Sequence, residues 1–114
     1  MPAKRNPLNL NPLQLKTLTL LQALAQLPDY ARPGEETGSA VIAALPDPHG
    51  DHFHLGDAVV AARDATGLRN PAVWAALARK GLVGEPSPQG VVLTSLGCQY
   101  DTGLRDTILH RSSH

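Results

Sequence analysis

Apolar residues recur at helical spacing early in the chain. Asn11-Pro12 opens LQLKTLTLLQALAQL, in which Leu13, Leu18, Leu20, Leu21, Leu24 and Leu27 sweep about half of a helical wheel. One core needs only a stripe of roughly 100° or more, so either several elements surround this helix or part of it faces another subunit. Core packing plus some dimer contact is the reading favoured, and Pro28 ends the helix. Residues 28–39 are turn formers and charges, hence a loop. Residues 40–45 (AVIAAL) are short, apolar and partly β-branched, which favours a strand over a helix. Residues 52–55 (HFHL) alternate, so a strand there turns Phe53 and Leu55 to the core and His52 and His54 together to the other face.

Between Gly56 and Gly97 three apolar periods follow one another. Asp57 is placed to cap a helix over AVVAARDAT, with Val59, Ala62 and Thr66 on one stripe, and Gly67-Leu68 to form a corner. Asn70 is a good N-cap, and Pro71 follows at the first helical position, where a missing N–H costs nothing. Val73, Ala76, Leu77 and Lys80 then share a face, and Gly81 stands where a left-handed residue ends a helix. Leu82-Val83 and Val91-Val92-Leu93 predict a ribbon whose tip is Gln89-Gly90, with Pro86 and Pro88 stiffening the loop. Beyond it, Thr94 can cap a last helix in which Leu96, Tyr100, Leu104 and Ile108 recur every four residues, packed on the first helix. Gly97 and Gly103 weaken that helix, so packing must hold it.

Two short helices joined by a Gly-containing corner make the helix-turn-helix layout. With the ribbon added, the chain resembles the winged helix-turn-helix superfamily. The likeness is carried by residues 61–68 (AARDATGL), 77–83 (LARKGLV) and 93–97 (LTSLG), within the central 40 residues or so. One departure is that the stretch from Leu68 to Leu77 is about one helical turn short of the usual recognition helix. The expected fold is therefore α+β: a winged helix with a long N-terminal helix, a small antiparallel sheet and a C-terminal helix. Residues 1–10 are expected as a flexible arm, 11–110 as one domain and 111–114 as a frayed tail.

The 114 residues suffice for a modest core, and aromatics are only 4%, so aliphatic side chains must fill it. Net charge is zero, so any pull on nucleic acid must come from local clustering. Such a cluster exists: from Ala65 to Gly84 there are three bases, Arg69, Arg79 and Lys80, and no acid. Double-stranded DNA is the leading expected partner. Arg69 and Asn70 would read the major groove, and Arg79 and Lys80, with Lys4 and Arg5 from the arm, would contact phosphates. Against this, Ala72, Ala75 and Ala78 offer little to read bases with, and the EPSPQG wing carries Glu85 and no base. The alternative is a winged-helix protein–protein interaction module without nucleic-acid binding. Trp74 either packs beneath the wing or anchors a partner. A homodimer would use the 12–27 and 95–110 helices.

HGDHFHLG is the most unusual stretch. His52 and His54 on one strand face would have Cα atoms about 6.5–7 Å apart, within reach of one ion. His49 and Asp51 could complete a nitrogen and oxygen set for zinc or nickel. The other reading is a set of solvated histidines on a hairpin, since the spacing matches no established zinc pattern and lacks thiolates. No cofactor is required by any motif. A phosphate loop, an H-E-x-x-H pair and a Ser or Cys nucleophile motif are all missing, so no enzyme is expected. The one cysteine, Cys98, excludes an internal disulfide and reads as an apolar packer more than a reactive thiol. No long apolar run and no signal peptide are visible, so a cytoplasmic protein with no membrane partner is expected.

Overall fold

The computed structural model describes residues 6–47, 50–85 and 90–111. Their elements run in the order α1 (Pro12–Leu24), β1 (Ala31–Pro33), β2 (Ala40–Ile42), β3 (His52–Leu55) and β4 (Ala58–Ala61). Two 3-10 turns follow (Ala62–Asp64 and Thr66–Arg69), then α2 (Pro71–Arg79), β5 (Val91–Leu93), α3 (Ser95–Gln99), α4 (Arg105–Ile108) and β6 (His110–Arg111). The class is α+β, with two small antiparallel sheets ordered β1-β2-β5 and β3-β4-β6. No helix among the described residues is long and apolar enough to cross a membrane.

α1 begins where the sequence places it. Asn11 Oδ1 accepts from the Gln14 N–H at 2.8 Å, and Gln14 Oε1 accepts from the Asn11 N–H at 3.0 Å, a reciprocal cap ahead of Pro12. It stops at Leu24, short of Pro28, because Gln26 and Leu27 donate to Ala23 and Leu24, the tighter pairing of a 3-10 turn. Leu18, Leu20, Leu21 and Leu24 are at most 1% exposed. The chain's own turns, α2 and α3 lie against α1, while Leu13 and Leu27 at the ends of the sweep stay half-buried.

In the first sheet Ala40 pairs with Leu93 and Ile42 with Val91, and Val83 bridges Leu93 from the far side of β5. The expected strand over 40–45 is confined to its first three residues. Ala43 and Ala44 instead direct their N–H groups to the Tyr30 carbonyl. The Val83–Leu93 bridge begins the expected ribbon, while its tip residue Gln89 lies outside the described residues.

The helix expected after Asp57 is absent. Gly56, at φ 62°, turns the chain so that β4 runs back along β3, with Phe53 opposite Val60 and Val60 fully buried. Adjacent valines suit a pleated surface, and Ala62 extends the ladder by donating to Asp51 O at 2.7 Å. The two 3-10 turns occupy the place where the first arm of the corner was expected.

The long C-terminal helix is also corrected. Thr94 caps it as expected, through a bond from the Gly97 N–H. Tyr100 is then extended, Gly103 donates to Asp101 Oδ1, and the helix resumes only as the short α4. Gln22 Nε2 donates to the carbonyls of Gly97 and Tyr100, fastening this break to α1. The Thr19 and Thr102 hydroxyls lie 2.6 Å apart, both buried, and add a second tie.

Residues 6–10, the inner half of the stretch expected as an arm, are fastened to the body. Tyr100 donates its hydroxyl to Asn6 Oδ1 and accepts from the Leu8 N–H, and Leu10 is buried.

Candidate functional site

α2 is held at both ends by its own residues. Asn70 Oδ1 accepts from the Ala72 N–H at 3.0 Å. Gly81, at φ 78°, lets Leu82 donate back to Leu77 O and Gly81 to Ala78 O, the paired bonds of a left-handed helix stop. Val73, Ala76 and Leu77 are buried, while Pro71, Ala72, Ala75 and Arg79 are exposed. Trp74 is half-buried, its Nε1–H donating to Leu68 O at 2.8 Å, so the indole lies along the helix.

Beside this helix runs a groove of about 700 Å³. Trp74, Ala75 and Ala78 form one wall and Ile42, Leu45, Val83 and Val91 the other, with Arg69 and Glu85 also lining it. Its surface is therefore predominantly aliphatic and aromatic, the composition of sites that take up apolar groups.

The cations expected to contact DNA sit, among the described residues, beside acids or carbonyl groups in most cases. Arg69 Nη2 stands 3.7 Å from Asp47 Oδ1, an exposed pair worth little energy that still places an acid beside the guanidinium. Asn70 spends its side-chain oxygen on the cap. Lys80 Nζ donates to the Leu8 carbonyl at 2.7 Å, which turns that charge toward the N-terminal segment. Arg79 is exposed at the C-terminal end of α2, and Glu85 adds a negative charge at the groove. Lys4 and Arg5 lie outside the described residues.

On the second sheet the expected alternation is present: Phe53 and Leu55 are buried, His54 is exposed and His52 half-exposed. His52 Nε2 and His54 Nε2 are 3.1 Å apart, with the rings edge-to-face at 79°. Asp51 Oδ1 is 3.3 Å from His52 Nδ1. His49 lies outside the described residues. Among the described residues no group of three or more His, Cys, Asp or Glu gathers as a metal set. Sequence reading missed His110. Register puts Val59 opposite both His54 and His110, so three histidines share one sheet face, two of them separated by a strand. Only the pairing of β6, remote in sequence, brings His110 there.

Cys98 is half-buried and packs against the core, its Sγ 3.8 Å from Leu93 O, and burial pushes its thiol pKa up.

Comparison with protein-family models, curated proteins and solved structures finds no match to this chain.

Proposed function

We propose that this chain is a winged-helix-like protein-interaction module that takes an apolar segment of a partner protein along α2. The winged-helix part rests on topology. β2 follows α1, the pair of 3-10 turns and α2 come next, and Val83 and β5 then complete a sheet in which β5 lies between β2 and Val83, the strand order of a winged helix. The 3-10 turns take the place of the middle helix, and the β3–β4 hairpin is an insertion before them.

The observation that carries the function is the groove walled by Trp74, Ala75 and Ala78. Small side chains leave it open and an indole lines it, and aromatic anchors in desolvated pockets dominate interface energies. A second reading, duplex DNA bound by α2, is favoured by Arg69 and Arg79 at opposite ends of that helix. It calls for a continuous positive face, which the Asp47, Glu85 and Leu8 contacts interrupt.

The test pairs two measurements on the full chain. Partners are captured from source cells with wild type and with Ala75→Glu, an exposed position where a carboxylate enters the groove without disturbing the core. A salt titration of fluorescence anisotropy on mixed-sequence duplex DNA runs beside it. The proposal expects a partner lost with Ala75→Glu and no duplex binding at low salt. Duplex binding that Arg69→Ala and Arg79→Ala abolish would establish the second reading instead.

A further inference from the structure

The geometry points to a binding site for one borderline divalent transition-metal ion at His52 and His54, ligated through both Nε2 atoms. This inference is independent of the groove on α2, which belongs to the other sheet's side of the chain.

Two imidazole nitrogens bound to one such ion at about 2.0–2.1 Å each, and 3.1 Å from one another, subtend about 95–100° at the metal. That lies between the square-planar and tetrahedral angles, so the pair accommodates zinc, nickel or copper(II) with little movement. Alternation on β3 gives the two rings one face, and Phe53 and Leu55, buried on the opposite face, fix the strand beneath them.

Asp51 supplies the orientation. Its Oδ1 lies 3.3 Å from His52 Nδ1, so the tautomer that carries its proton on Nδ1 would donate to Asp51 and ligate through Nε2. A carboxylate behind a ligating histidine fixes the tautomer and raises ligand basicity. The two Nε2 atoms already stand 3.1 Å apart, so one divalent cation can draw on both without moving the strand. His54 is exposed and His52 half-exposed, so an ion can reach the pair from solvent. The other side chains paired on this face, Val59 and Ala61, carry no donor atom. His110, one strand beyond Val59, sits roughly 9–10 Å from His54 between backbones and is not a ligand. With two protein nitrogens the affinity follows the general order for such ligands, copper(II) above nickel and zinc.

Calorimetric titration of the full, tag-free chain with copper(II), nickel and zinc tests this. The expected result is one ion per chain, tightest for copper. His54→Ala should weaken binding at least tenfold and the double variant H52A/H54A should abolish it, while His110→Ala leaves it unchanged. Asp51→Asn should weaken it about tenfold, as loss of such a supporting carboxylate does. Imidazole nitrogen NMR should show the metal displacing protons at Nε2 and not at Nδ1. The proposal is overturned if wild type takes up none of the three ions. It is overturned equally if H52A/H54A, verified as folded by circular dichroism, binds as wild type does, or if His110→Ala loses as much as His54→Ala.

Discussion

Trp74 Nε1 donates to the Leu68 carbonyl at 2.8 Å, and this bond ties the α2 wall of the groove to the 3-10 turn that precedes α2. The indole therefore fixes where α2 leaves the turn, as well as forming part of the apolar wall. Trp74→Phe keeps most of the apolar contact but leaves the carbonyl without its donor. The expected loss is about 1–3 kcal/mol, read as a lower urea midpoint by far-UV circular dichroism. An unchanged midpoint would mean that the bond contributes nothing to holding the turn.

Gly67 meets Thr17 on the other side of the same turn. A methyl group at residue 67 would collide with the Thr17 hydroxyl, which is fully buried and donates to Leu13 O at 2.8 Å. Gly67→Ala should therefore destabilise by about 1–3 kcal/mol, the range for overpacking a tight core. Removing the obstructing hydroxyl tests the cause. In a Thr17→Ala background the same substitution should cost less, by about 0.5–3 kcal/mol of coupling between contacting residues. Simple additivity in that double-mutant cycle would refute the clash.

These two contacts mark the boundary between what the sequence reveals and what it withholds. Both Asn-Pro helix starts are legible because a cap is a local device: Asn11 and Asn70 each satisfy an N–H within three residues of themselves. The alternation of His52, Phe53, His54 and Leu55 is legible for the same reason. Residues 58–66 mislead because Val59, Ala62 and Thr66 do fall at helical spacing. Their strand pairing depends on HFHL lying alongside, with Gly56 making the turn. The C-terminal segment misleads likewise. Four-residue recurrence is present, yet the local bond from Gly103 to Asp101 and the ties of Thr102 to Thr19 and of Tyr100 to Asn6 break the helix. At the candidate sites, residue identity alone brings out Arg69, Asn70, His52 and His54. The groove, the turning of Lys80 toward Leu8 and the row from His54 to His110 arise only when distant segments meet.

Cys98 carries the remaining prediction. Its thiol is pushed above the ordinary value of about 8.5 by desolvation on burial, which disfavours the thiolate. Because the folded state holds this proton to higher pH than the unfolded chain does, the stability it contributes is fully present below the unfolded value. It is lost as pH rises from there toward the folded value. Wild type should therefore lose stability on the alkaline side more steeply than Cys98→Ala, and the two profiles should run parallel below about pH 8. The same burial should make alkylation by iodoacetamide slower in the native chain than in urea at equal pH, since only the thiolate attacks. Equal alkylation rates in the two states, or an alkaline slope unchanged by Cys98→Ala, would show that the sulfur is not held as a packed, protonated thiol beside Leu93.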